Sequence, residues 1–257
     1  MLGAIAGDII GSVYESNPVK TKDFDLFCAD NHFTDDTVLS LAVANVILYK
    51  KSYLHTFRHF YQQYPNQGYG YGFSRWVLSD AEEPYYSYGN GSAMRVNPVG
   101  WAFNSLPDVL YEAKQSAIVT HNHEEGIKGA QAVAAAIFLA RKGHNKHDIK
   151  KYLADTFAYD LNRKLDDIRP EYKFDVSCQG SVPESVIAFL ESENFEDAIR
   201  NAVSLGGDSD TMACIAGAIA EAYYQHIDKD IITTVFNLLP TNLAEITRQF
   251  TGKYCQY

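Results

Sequence analysis

Two segments of this chain place carboxylates at the entrance of an apolar helix. In HFTDDTVLSLAVA, from His32 to Ala44, Asp35 and Asp36 stand side by side between Thr34 and Thr37. In SLGGDSDTMACIAGAIAEAYY, from Ser204 to Tyr224, Asp208 and Asp210 precede the same kind of run and Thr211 follows. One Asp or Thr is enough to accept from the orphan N–H groups of a first helical turn. Two neighbouring carboxylates repel, and each favours its neutral form unless a counter-charge is near. The positive end of the helix dipole supplies only part of one.

Behind these mouths the apolar spacing is helical. Val38, Leu41, Ala42, Val46 and Tyr49 follow one buried face, and Met212, Ile215, Ala216, Ile219, Ala220 and Tyr223 do the same. EEGIKGAQAVAAAIFLARKG opens with acids and closes with Arg141, Lys142 and Gly143, as a helix complementing its dipole does. PESVIAFLES and FEDAIRNAVSLGG predict two more helices, the second closed by Gly206 and Gly207. Clean period-two alternation is absent, so the expected fold class is all-α. No low-complexity linker or solenoid repeat divides the chain, which predicts a single domain over residues 1–257.

Composition removes several function classes. With 32 acidic against 22 basic residues the net charge is -10, and no Lys/Arg cluster is visible, which argues against nonspecific nucleic-acid binding. Cys28, Cys178, Cys214 and Cys255 show no CxxC spacing and read as reduced thiols of a cytoplasmic protein. MLGAIAGDIIG lacks a basic n-region and is interrupted by Asp8, so it is not a signal peptide. The longest apolar runs fall far short of the ~20 residues that span a bilayer. The expected protein is a monomer without membrane attachment.

If the two acidic mouths meet in space, four carboxylates and several Thr hydroxyls converge, the all-oxygen environment that hard cations favour. Glu15, in AGDIIGSVYE, offers a fifth carboxylate; by itself it reads as a surface residue. GNGSAMR, from Gly89 to Arg95, fits neither GxxxxGK nor GxGxxG and reads as a run of small residues with open backbone N–H groups, or as a tight turn. THNHEEG is not HExxH, because Ile127 stands where the second His belongs; a His there is a cap or a polar contact. GYGYGF brings Tyr69, Tyr71 and Phe73 as aromatic faces for a planar ligand or for packing. There is no GxSxG, no electropositive Cys and no strand-borne GxGxxG. Metal-assisted hydrolysis is the chemistry these residues suit.

Taken in order, GAIAGDIIGSVYE, FTDDT, GNGSAMR, THNHEEGIKGA and LGGDSDT resemble the ADP-ribosylglycohydrolase (DraG-like) family, from Gly3 to about Ala222. The resemblance implies an orthogonal all-α helical bundle holding two ions, Mg²⁺ or Mn²⁺. It implies metal ligation by Glu15, Thr34, Asp35, Asp36, Asp208, Asp210 and Thr211, with the catalytic carboxylate among Glu15, Asp35 and Asp36. It further implies ADP-ribose contacts from Gly91, Ser92 and His121, with His123 the weaker candidate. The implied activity is hydrolysis of the glycosidic bond between ADP-ribose and an acceptor, which can be a protein side chain, a nucleobase or a small molecule. Two rivals are a metal-dependent phosphoester or pyrophosphate hydrolase and a non-catalytic ADP-ribose binder.

Overall fold

Helices account for all the regular structure among residues 1–255, the part of the chain that this computed structural model describes. The first group is α1 (Leu2–Ser16), α2 (Asp35–Tyr49), α3 (Tyr53–Gln63), α4 (Tyr71–Val77) and α5 (Gly91–Met94). Next come α6 (Asn97–Ala102), α7 (Leu106–Ile118), α8 (Glu124–Arg141), α9 (Lys146–Phe157) and α10 (Leu165–Ile168). The chain closes with α11 (Cys178–Leu190), α12 (Phe195–Val203), α13 (Ser209–Tyr224), α14 (Lys229–Leu238) and α15 (Thr241–Tyr254). Extended backbone pairs at one antiparallel bridge, Gly89 with Ser177. The fold is all-α, as the periodicity predicts.

The apolar runs that read as amphipathic are buried on every side. From Ser209 to Ala222 every residue of α13 is inside, and so are Asp36 to Val46 of α2 and Ala132 to Ala140 of α8. A helix apolar all round belongs to the centre of a bundle. The one-face reading of α2 fails at its end: Tyr49 is 49% exposed, its hydroxyl turned to Gln249. Another boundary also differs, for a local reason. The PESVIAFLES helix starts five residues before Pro183, because the Ser177 hydroxyl accepts from Gly180 N at 3.1 Å and caps α11 there.

The approach of α1 to α13 positions everything else. Gly3, Gly7 and Gly11 recur every four residues and share one face of α1. A Cβ on Gly7 would lie 2.1 Å from the Ala213 carbonyl oxygen, and one on Gly3 2.3 Å from that of Gly217. At Gly11 the same construction meets the Asp210 backbone at 2.5 Å. The backbones touch, so the first turn of α13 is set against the second half of α1. Glu221, fully buried on α13, accepts from Leu2 N at 3.2 Å and Gly3 N at 2.8 Å and ties the other end.

A methyl group at Gly7 therefore has to displace main chain. Gly7→Ala should cost about 2–3 kcal/mol, the overpacking range. Gly252→Ala, at an exposed α15 position where a Cβ meets nothing within 4 Å, should stabilise by about 0.5–1 kcal/mol instead. Urea unfolding of both variants checks the opposite signs.

Candidate active site

Asp8 sits fully buried on α1, one residue past Gly7, and reaches the mouth of α2. It accepts from Thr34 N at 3.0 Å, Thr37 N at 3.1 Å and Thr34 Oγ1 at 2.7 Å, and from the Thr37 hydroxyl. Asp8 thus shares the capping of α2 with Thr34, whose hydroxyl accepts from Asp36 N at 3.2 Å, so the Asp35 and Asp36 side chains are released from that task. Sequence reasoning used Asp8 only to exclude a leader. Its signal was available: a charge inside GAIAGDIIG has to be paired if that run is buried.

The two acidic motifs meet. Thr211 Oγ1 donates to Asp36 Oδ2 at 3.3 Å across 175 positions of sequence. Carboxylate oxygens of Glu15, Asp208 and Asp210 all lie within 4.8 Å of one another, one turn along α1 from the Gly11 contact. Thr34, Asp35 and Asp36 line the same cleft of about 350 Å³. Asp208 is steadied by Asn90, whose side-chain amide donates to Asp208 Oδ2 at 2.7 Å and to Ser181 Oγ at 3.2 Å. Asn90 belongs to the small-residue loop, yet the neighbouring Gly91 and Ser92 drew the expectation instead.

Electrostatically the cluster is uncompensated by protein. Burial pushes the Asp35, Asp36 and Asp210 carboxyls well above the ordinary carboxylate range, and neighbouring carboxylates push them further. Asp208 rises through burial, against the lowering effect of its hydrogen bonds. Glu15, on the exposed rim, rises through partial desolvation and then through Asp208 and Asp8. Among the described residues neither Lys nor Arg lines the cleft. Asp36 Oδ1 is buried without a hydrogen-bond partner. Clustered hard oxygens, an orphaned carboxylate oxygen and missing positive charge fit divalent cations.

The rest of the cleft runs from this acidic end toward α4 and the Gly89–Gly91 loop. His121 is buried in its wall, with Nε2 3.2 Å from where a Gly91 Cβ would be. Burial, then the nearby Arg95 charge, holds its imidazole well below the usual histidine range, so it is neutral. Gly91 lines the cleft, whereas Ser92 is turned inward and its hydroxyl donates to Gly126 O at 2.7 Å. His123 is a cap, accepting from Glu125 N at 3.1 Å. Of the three aromatic candidates Phe73 lines the cleft, Tyr69 stacks behind it at 5.5 Å, and Tyr71 is 82% exposed. His32, Asn66 and Tyr85 also line the cleft, although nothing in their local sequence distinguished them.

With this geometry in place, the relatives can be set beside it. Residues 1–255 match the sequence profile of the ADP-ribosylglycohydrolase family. The chain is 28% identical to the ADP-ribosylhydrolase ARH3 of Xenopus tropicalis, over 87% of this chain and 85% of that protein. The Homo sapiens protein of the same name is also 28% identical, over 87% and 84%. A solved structure titled ADP-ribosylglycohydrolase-related protein complex shares the fold, with a TM-score of 0.71 at 22% identity, covering 97% of this chain and 95% of that one.

The carboxyls raised by burial bind protons in the folded state that they lose when unfolded. Their contribution to stability is present below the ordinary carboxylate value of about 4 and is lost as pH rises through the raised values. In chelator, Asp210→Asn should therefore stabilise the protein near neutral pH by about 1–3 kcal/mol, and it should abolish most of the gain in Tm given by Mg²⁺ or Mn²⁺. Differential scanning calorimetry at pH 5 and pH 8, with chelator and with metal, reads both effects. Asp8→Asn should act in the opposite direction. It sets an amide donor against backbone N–H groups and should cost about 2–3 kcal/mol by chemical denaturation, with or without metal.

Proposed function

Because the chain belongs to the ADP-ribosylglycohydrolase family, we propose that it hydrolyses the glycosidic bond between ADP-ribose and an acceptor. The observation that carries this reading is the meeting of the two acidic helix mouths, bridged by Thr211 and Asp36, at one end of an elongated cleft. Glu15, Thr34, Asp35, Asp36, Asp208, Asp210 and Thr211 would hold two hard divalent cations, Mg²⁺ or Mn²⁺. Such ions supply positive charge that orients vicinal hydroxyls and makes a bound water acidic.

The chain's own residues divide the remaining work. Asp36 is anchored by Thr211, and Asp208 by Asn90, so both present fixed oxygens to the acidic end. Preorganised groups of this kind lose little freedom when the ligand arrives. Glu15 stands at the solvent edge of the cluster, where a water can reach it. It is the carboxylate best placed to take that water's proton as charge develops at the anomeric carbon. Asp35 and Asp36, deeper in, hold the ribose side. Phe73 and Tyr85 offer apolar faces to the remainder of the nucleotide, and His121 and Gly91 border its polar middle. Action as a monomer is part of the same proposal, and the four cysteines are free thiols, which fits a reducing compartment such as the cytoplasm.

The products decide between this reading and phosphoester or pyrophosphate cleavage. Incubated with an ADP-ribosylated substrate in ¹⁸O-water, the metal-loaded protein should release intact ADP-ribose with the label on the anomeric hydroxyl. Glu15→Gln should lower kcat by at least about 10²-fold while ADP-ribose still binds. AMP as the main product, with label on phosphate, would overturn the glycosidic reading. Binding without turnover across a panel of acceptors would leave a non-catalytic ADP-ribose binder.

A further inference from the structure

Arg95 is the largest fully buried side chain among the described residues. Its guanidinium lies over the Phe57 ring at 4.4 Å. Nη2 donates to Ser116 O at 3.0 Å and to Thr120 Oγ1 at 2.7 Å. Thr120 Oγ1 in turn lies 2.7 Å from Nδ1 of His121. All four residues, Arg95, Ser116, Thr120 and His121, are buried.

Proton counting settles the direction of this chain. A guanidinium has no acceptor, and burial lowers that of Arg95 only to about 10, so it remains a donor at neutral pH. A threonine hydroxyl has two lone pairs and one proton. Arg95 fills the first lone pair. The hydroxyl's own proton needs an acceptor, and the other side-chain atom bonded to this hydroxyl among the described residues is Nδ1 of His121, at 2.7 Å. The Thr120 proton is left for His121 Nδ1, which must accept it. In a neutral imidazole the hydrogen then sits on Nε2.

We infer that Arg95 and Thr120 are positioning residues that fix His121 as the Nε2–H tautomer, an obligatory hydrogen-bond donor into the cleft beside Gly89 and Gly91. The ligand atom opposite must be an oxygen acceptor, such as a phosphate or ribose oxygen, and an N–H group there would be rejected. The ligand identity rests on the proposed ADP-ribose reading; the tautomer does not. A histidine free to exchange tautomers would present a donor only part of the time, and ordering it on binding would weaken affinity.

The tautomer is directly observable in the two-bond ¹H–¹⁵N spectrum of labelled protein, with the His121 signals identified by their loss in His121→Gln. The expected pattern is an unprotonated Nδ1 and a protonated Nε2. Thr120→Ser should preserve the pattern and bind ADP-ribose within about twofold of the unaltered protein. Thr120→Val, which keeps the shape but removes the hydroxyl, should give mixed tautomers and about tenfold weaker ADP-ribose binding by calorimetry. A protonated Nδ1 in the unaltered protein overturns the inference, as does an unchanged spectrum in Thr120→Val. The expected spectrum together with no affinity for ADP-ribose would uphold the tautomer and reject the proposed ligand.

Discussion

Main-chain contact between α1 and α13 is the constraint on which the site depends. Side chains at positions 3, 7 and 217 would hold the helices apart, and their absence lets carbonyl oxygens sit where Cβ atoms would otherwise be. That approach carries α1 past the first turn of α13, so Asp8 reaches α2 while Glu15 reaches Asp208 and Asp210. Close backbone packing costs hydrophobic area that larger side chains would bury. It gives in exchange a fixed relation between three segments far apart in sequence, and a carboxylate cage needs such a relation more than it needs area.

The charge balance of the cage runs against the stability of the empty protein. Four aspartates and Glu15 are gathered with burial favouring protonation in each and repulsion adding to it at Asp35, Asp36, Asp210 and Glu15, and among the described residues neither Lys nor Arg lines the cleft to relieve them. Asp8 shows the contrast. It is equally buried, but it accepts from the Thr34 and Thr37 backbone N–H groups and from both their hydroxyls, four donors in all. Asp36 and Asp208 are each held by one side-chain donor or more, yet Asp36 Oδ1 has no partner, and it is oxygens of this kind that suit a cation.

Away from the acidic end the cleft is built from a different connection. The Tyr88–Asn90 backbone is laced to the entry of α11, through Asn90 N to Val176 O at 2.7 Å and Cys178 N to Tyr88 O at 2.9 Å. From this strap Asn90 reaches back to Asp208, while Gly89 and Gly91 lie against His121. The acidic end and the aromatic end of the cleft are therefore joined through one residue, Asn90. Arg95, at the end of the same segment, governs His121 from behind through Thr120.

The sequence by itself determined the helical class and the acidic motifs. Both are local: the spacing of apolar residues follows the helix period, and adjacent aspartates at a helix start repel whatever surrounds them. Gly91, Ser92 and His121 come forward only through the order of motifs that resembles the family, because the loop by itself reads equally as a tight turn and the imidazole as a cap. Only the tertiary structure decided which carboxylate caps and which remains free. Asp8 and Asp36 look alike as residues, and their difference lies in what another helix brings to them. It likewise decided that Ser92 faces inward, that His123 caps α8, that Asn90 joins the two ends of the cleft, and that α2 is buried on every side from Asp36 to Val46. Such facts depend on how helices are arranged about one another: Gly3, Gly7 and Gly11 share a face that their spacing shows, but that this face meets the main chain of α13 is decided only by the packing.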